Sequence, residues 1–380
     1  MEPRGVSNEP LKVALIAGVT GLVGTVLAEN LVKTGWKVYG IARSPLQQHQ
    51  GFEESTAAKI QFIACDLTDR DQTIAKISPL SEVTHVFWVT WAARLSDDSC
   101  EHYQENRDMF SNALDALLPV ALGLKHICLQ TGTKHYYGPG FPPPGLHELP
   151  LREDKPRLPN AYNFYYGLED VLLESAKKKE GRLTWSVHRP SLIFGQSTRS
   201  FVNLIGSLAV YATLCKFLGL PFVFPGSRTC WEEPYMDASD AELIAEQEIW
   251  AATDVRARNQ AFHTVNGDSF TWKQLWPVLA AKFELQLPPA PDMVDESVSL
   301  VAIMSDKGPV WDEVVRVNSL RPIRMQDLTD WLFLEIILKF PFKILASTDK
   351  CREHGFCGTR NTEKSLAYWI DKMKERRLVP

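Results

Sequence analysis

A glycine triplet near the start of the chain sets the first constraint. Gly18-Val19-Thr20-Gly21-Leu22-Val23-Gly24 reads GxxGxxG, follows the apolar run Leu11 to Ala17, and opens a helical pattern. A short, near-continuous apolar run is what a strand buried on both faces requires. Glycine after such a strand allows a tight turn, close backbone approach to a pyrophosphate, and close packing of helix on strand. The helix start adds free amides and a positive dipole for the phosphates. The pattern therefore points to nucleotide binding, with Gly18, Thr20, Gly21, Leu22, Val23 and Gly24 as contacts.

The rest of the first half repeats the βαβ alternation of a parallel sheet. Thr25 to Lys33 has helical spacing and Gly35 closes it. Strands are expected at Lys37 to Ala42, Ile60 to Ala64, His85 to Thr90, His126 to Gln130 and Thr184 to Arg189, with Pro190 ending the last. Gly140 to Pro159 is rich in Pro and Gly and reads as a loop, followed by a helix from Asn163 to Lys178. After Pro190 the alternation fades into longer helical patterns, a strand at Ala261 to Asn266 and a helix from Thr271 to Phe283. The expected fold is α/β: a Rossmann doubly wound parallel sheet with a smaller C-terminal substrate-binding domain. The first domain spans 1–190. The second spans 191–380, with some segments returning to the sheet.

Composition excludes several functions. The chain of 380 residues is 45% hydrophobic and 23% charged, with net charge −5, the balance of a soluble globular protein. No basic stripe suggests nucleic acid. Lys177-Lys178-Lys179 reads as a solvated helix end facing terminal carbonyls. The seven scattered cysteines, none in CxxC, fit reduced thiols in a cytoplasmic protein better than a disulfide framework. MEPRGVSNEP has no secretory pattern. Phe201 to Phe224 is the most apolar stretch, but Asn203, Ser207, Thr213 and Lys216 interrupt it, so it reads as a buried or pocket-lining helix and not a membrane span. Trp331 to Leu345 reads as an amphipathic surface helix, a lid or a dimer contact. The nine histidines form no HxH or HExxH pattern, so no metal site is expected.

Arg43 decides the expected cofactor. The second strand ends Gly40-Ile41-Ala42-Arg43-Ser44, where a chain selecting NAD usually carries Asp or Glu for the ribose 2′-hydroxyl. A guanidinium instead matches a 2′-phosphate in charge and in its fork of donors. NADPH/NADP+ is expected, with Arg43 and Ser44 near the phosphate and Asp66-Leu67 near the adenine. Catalysis is less conventional. Most short-chain dehydrogenases carry Tyr-x-x-x-Lys on a helix, where the ammonium one turn on lowers the phenol pKa from about 10. Neither tyrosine of the helix that follows the fifth strand has lysine four residues on: Tyr165 is followed by Glu169 and Tyr166 by Asp170. Lys134, just past the fifth strand, stands at the active end of the sheet, from which it can reach a tyrosine on the next helix from the other side.

Five motifs carry a resemblance: Val89-Thr90-Trp91-Ala92, Thr131-Gly132-Thr133-Lys134-His135-Tyr136, Asn163-Phe164-Tyr165-Tyr166, Ser186-Val187-His188-Arg189-Pro190 and Glu353-His354-Gly355-Phe356. Over nearly its whole length the chain resembles the progesterone 5β-reductase and iridoid synthase-like enone reductases, of the extended short-chain dehydrogenase type. The resemblance implies Lys134 and Tyr165 as catalytic residues. It also implies hydride transfer from NADPH to the β-carbon of an α,β-unsaturated carbonyl, with Tyr165 hydrogen-bonded to the carbonyl oxygen as enolate charge develops. Thr90, Trp91, Thr131, Tyr165, Pro190, Ser191 and Ile193 are expected at the cofactor, and Trp91, Phe141, Asn203 and Phe333 at the substrate. Steroidal enones, small linear enones and monoterpene dialdehydes are the implied substrates, and a homodimer the implied assembly. Two alternatives stay open: a carbonyl reductase using the same cofactor and tyrosine, and an NADPH-binding sensor without turnover.

Overall fold

The computed structural model describes residues 11–43, 52, 54–92, 99–138, 148–179 and 181–380. Among them run nine strands: β1 (Val13–Ala17), β2 (Lys37–Ala42), β3 (Ile60–Ala64), β4 (His85–Trp88), β5 (His126–Gln130), β6 (Thr184–Pro190), β7 (Leu192–Phe194), β8 (Ala238–Asp240) and β9 (Gln260–Thr264). Seven of them form one parallel sheet in the order β3-β2-β1-β4-β5-β6-β9, and β7 pairs with β8 apart from it. The order reverses between β1 and β4. The chain leaves these two neighbours in opposite directions, which opens a crevice at their carboxyl ends.

Alternation within each strand feeds two cores. Val13, Leu15 and Ala17 of β1 pack on one face with Trp88, Phe110 and Leu172, while Ala14 and Ile16 pack on the other with Leu27 and Leu31. The helices Cys100–Leu117 and Phe164–Lys178 lie together on the first face, and Leu22–Lys33 packs on Ala241–Thr253 on the second. The sheet is buried on both sides, which is why its strands read as apolar runs without polar alternation.

Three differences from the sequence reading have local causes. The first helix starts at Leu22 and not Thr25, because Gly21, at φ −76° and ψ 178°, is the extended residue before it. β4 stops at Trp88, so that Val89 and Thr90 leave the sheet and line the crevice. β6 runs through Pro190, whose register partner is Thr264; the missing N–H falls on the strand's last residue. The strand expected within the C-terminal region, β9, is the seventh strand of the main sheet, paired from Ser186↔Gln260 to Pro190↔Thr264.

The C-terminal region packs helices over the crevice. Leu204–Leu218 is capped by Asn203 and ends at Gly219 in the left-handed conformation, and residues 204–215 are all buried. Phe222 stacks on Trp276 at 4.8 Å and 10°, and Phe224 meets the same indole edge-on at 5.2 Å. Such contacts add about 0.5–1.5 kcal/mol each beyond area burial. Among the described residues no helix is long and apolar enough to cross a membrane. All seven cysteines are outside disulfides. Lys179 departs from the solvated reading: its ammonium donates to the Leu118 carbonyl at 2.9 Å.

Gly24 leaves no room for a side chain. A Cβ there would lie 2.9 Å from Val19 Cα and overlap the Gly18 carbonyl. Gly24→Ala is expected to push the first helix off β1 and lower stability by about 1–3 kcal/mol. Urea unfolding checks this; a midpoint equal to the wild type would mean that the helix has room to shift.

Candidate active site

The crevice divides into two connected spaces. The first, about 470 Å³, is lined by Gly18, Thr20, Gly21, Arg43, Asp66, Leu67, Thr90 and Trp91, among others. Gly18 has φ +91°, and a Cβ on it would lie 2.7 Å from Thr90 Cβ and 2.8 Å from the Val89 carbonyl oxygen. Glycine is required there, and its bare backbone forms the floor of a groove open to a pyrophosphate. Leu22 and Val23 turn their side chains into the core, so only their backbone is offered at the helix start. Asp66 is fixed by accepting from the Thr68 N–H and hydroxyl at 3.0 and 2.8 Å. This space has the shape and donor set for a dinucleotide, with exposed Arg43 at the end of β2. Ser44 lies outside the described residues.

The second space, about 370 Å³, shares Val89, Thr90 and Trp91 with the first and is mostly apolar. Lys134, Tyr165, Thr131, Pro190, Ser191, Ile193 and Phe333 all line it. Fifteen sequence-derived positions, the eight named for the first space and these seven, thus border one continuous crevice. Phe141 lies outside the described residues. Asn203 does not line this cavity: it is buried, its Oδ1 accepts from Gly206 N at 3.1 Å, and its amide donates to the Ser197 carbonyl at 2.9 Å. Its role is to cap a helix. Walls that the sequence left unmarked are Tyr137, Met236, Ile336, Phe340 and Ile344. Ile336, Phe340 and Ile344 belong to the stretch read as a surface helix, lid or dimer contact, and no local pattern distinguishes Tyr137 and Met236 from core.

Tyr165 and Lys134 are placed by reciprocal contacts between their two segments. Lys134 sits on the short helical turn Thr133–Tyr136 directly after β5, and Tyr165 in the first turn of the helix Phe164–Lys178. Asn163 ties them together: Oδ1 accepts from Tyr165 N at 3.1 Å, and Nδ2 donates to the Lys134 carbonyl at 2.8 Å. Tyr166 adds a second tie, donating its hydroxyl to the His135 carbonyl at 2.7 Å. The Tyr165 hydroxyl lies 2.9 Å from where a Cβ on Gly132 would stand, so Gly132 makes room for it. Lys134 Nζ lies 6.0 Å from the Phe164 ring centre, and Phe164 stacks on Trp91 at 5.4 Å and 13°. A cation and a phenol thus face one apolar cavity, a setting in which hydrogen bonds to a developing oxyanion are strong.

Beneath this turn lies a buried charge network that the sequence showed only as separate motifs. Glu169, four residues after Tyr165, accepts from Arg189 at 3.0 Å and from Arg157 at 3.0 Å. His135 Nδ1 is 3.2 Å from the same carboxylate. Burial works against the Glu169 charge, but His135, Arg189 and Arg157 outweigh it and bring its pKa down to about 2. Burial also holds the His135 pKa below the usual imidazole range. Arg189 continues the network by donating to the Tyr136 hydroxyl at 2.7 Å. His263 Nδ1 faces the Ser347 carbonyl at 2.9 Å and must carry the proton. Its Nε2 therefore accepts from Tyr136 at 2.7 Å. Burial, with Arg189, brings the His263 pKa to about 3, consistent with that neutral tautomer.

Because the folded pKa of Glu169 lies below its ordinary value, its stabilisation is present above about pH 4.5 and lost as pH falls toward 2. Glu169→Gln is expected to cost about 3 kcal/mol at neutral pH. The gap from the wild type should narrow between about pH 4.5 and pH 2. Urea unfolding across that range checks both; a pH-independent gap would mean that the carboxylate's charge is not what stabilises the site.

Comparisons with known proteins follow the same outline. The model of the PRISE-like Rossmann-fold domain matches residues 58–380, and that of GDP-mannose 4,6 dehydratase matches 15–88. An (S)-8-oxocitronellyl enol synthase of Camptotheca acuminata is 48% identical, over 97% of this chain and 93% of its own length. The 3-oxo-Delta(4,5)-steroid 5-beta-reductase of Arabidopsis thaliana is 45% identical, also over 97% and 93%. Among solved structures, Bordetella bronchiseptica WbmH in complex with NAD+ aligns with a TM-score of 0.65 at 16% identity, covering 96% of this chain and 99% of that one. At that identity the likeness establishes the fold alone.

Proposed function

The chain belongs to the PRISE-like Rossmann-fold family, and on that premise we propose that it uses NADPH to reduce the C=C bond of α,β-unsaturated carbonyl compounds, with Tyr165 and Lys134 at the carbonyl oxygen. It is an oxidoreductase of the enone reductase kind, and its relatives include 8-oxocitronellyl enol synthases and a 3-oxo-Delta(4,5)-steroid 5-beta-reductase. The observation that carries the residue assignment is the convergence of Lys134 and Tyr165 on one apolar cavity that opens, through Thr90 and Trp91, into the dinucleotide cleft.

NADPH, when bound, supplies a hydride to the β-carbon. The protein's task is then to stabilise the charge that moves to the carbonyl oxygen. The Tyr165 hydroxyl donates a hydrogen bond to that oxygen, and the Lys134 ammonium adds positive potential beside it. Both act among the apolar side chains of Phe164, Leu168, Ile337 and Phe340, a setting that strengthens such interactions. No base has to withdraw a proton from an alcohol, so the chemistry does not require lysine at the position that Glu169 holds. The α-carbon takes its proton from solvent. Pro190, Ser191 and Ile193 frame the nicotinamide end, Asp66 and Leu67 the adenine end, and Arg43 selects the 2′-phosphate. Trp91 and Phe333 are walls for the substrate.

With NADPH and a small cyclic enone or progesterone, the product is expected to be the saturated ketone, identified by mass and NMR. Tyr165→Phe is expected to lower kcat by roughly 10²–10³-fold, the loss typical of an oxyanion donor. Lys134→Ala should lower it at least about tenfold. An allylic alcohol as product would overturn the C=C assignment. Full turnover by both variants would remove these residues from the mechanism.

A further inference from the structure

The cleft at the end of β2 has a second wall, supplied by the other half of the chain. Arg199, Ser200 and Phe201 face Arg43, Ala42 and Thr20 across a space of about 450 Å³. Arg43 and Arg199 also line the dinucleotide cleft. Two guanidiniums therefore border the region beyond the second strand, where this fold holds the adenosine ribose. The acid at this cleft, Asp327, is matched already: Arg324 donates to its two carboxylate oxygens at 2.9 and 2.7 Å. Asp66 and Glu105 line the adjoining dinucleotide cleft with the two arginines.

Arg199 is held there by a built strap, residues 197–203, between β7 and the helix Leu204–Leu218. Buried Ser197 donates its hydroxyl to the Thr20 carbonyl of the phosphate loop at 2.9 Å and accepts from Arg199 N at 3.1 Å. Buried Asn203 holds the Ser197 carbonyl from the far end. Between these pins, Phe201 meets Trp91 edge-on at 6.0 Å. Val202 has φ +55°, a conformation that a β-branched residue adopts only when its surroundings impose it. The strap is thus fastened to the same loop that holds the pyrophosphate, which fixes where the Arg199 side chain emerges.

We infer that Arg199 is a second ligand of the adenosine 2′-phosphate and forms with Arg43 a two-guanidinium clamp that selects NADPH over NADH. The inference rests on reading Arg43 as the selector of NADPH. A 2′-phosphate is close to a dianion at neutral pH, and two guanidiniums from opposite walls match its charge and several of its oxygens. A single exposed pair contributes little in water, so a cleft that discriminates by charge gains from closing on the phosphate from both sides.

Calorimetric titration separates the contributions, using adenosine 2′,5′-bisphosphate and adenosine 5′-monophosphate as probes on the wild type, Arg43→Ala, Arg199→Ala and Arg199→Lys. Arg199→Ala is expected to weaken the bisphosphate about tenfold at low salt and leave the monophosphate unchanged. Arg199→Lys should keep part of that affinity. If Arg199→Ala binds the bisphosphate as the wild type does while Arg43→Ala loses the preference, the clamp is wrong and Arg43 acts alone. Equal weakening of both probes also overturns it. A wild type that binds both probes equally would sink the NADPH reading itself.

Discussion

The carboxylate of Glu169 is the contact on which the geometry of the site depends. It is buried, and it draws Arg189 from β6, Arg157 from the loop before the helix, and His135 from the turn after β5 onto one point. His135 neighbours Lys134, and Glu169 lies one helical turn below Tyr165. Fixing the carboxylate therefore fixes the two proposed catalytic side chains relative to each other. Removing Glu169 would leave the Arg189 charge without its carboxylate in a low-dielectric interior, a cost that surface ion pairs do not carry.

This arrangement also explains an anomaly of the sequence. The helical position where other short-chain dehydrogenases carry lysine holds an acid, and the lysine arrives from a different strand. Acid and lysine do not compete for one place. Glu169 points down into the charge network while Lys134 lines the cavity above it. Oxyanion stabilisation asks only that a cation and a phenol share the cavity, and says nothing of which element delivers each.

Much of the fold was legible because strands buried on both faces leave continuous apolar runs, and the glycine loop marks the crevice end of the sheet. The position of β9 was not. Its run looks the same whether it pairs with β6 or within a separate domain, and only the register Pro190↔Thr264 decides. The crevice was legible where motifs mark it, at Lys134, Tyr165, Thr90 and Pro190. It was illegible where single residues from distant segments meet, as at Tyr137, Met236 and Phe340, because none carries a motif in its own segment. Asn163 lay inside a quoted motif, yet its bridge to the Lys134 carbonyl is a tertiary contact that no spacing reveals. Arg199 was missed because a lone arginine in a polar loop carries no periodic signal.

The return of β9 to the main sheet has a consequence for biosynthesis. β6 emerges from the ribosome with one edge unpaired, and its partner follows only after the excursion between Pro190 and Gln260 has been translated. That excursion includes the fully buried helix run 204–215, whose neighbours around Trp276 and Trp311 come later still. The nascent chain thus carries an open strand edge and an uncovered apolar helix at the same time, the two features most prone to intermolecular association. A chaperone acting on this protein would find its principal target between β6 and β9, after the nucleotide-binding half has been made and before that half can close.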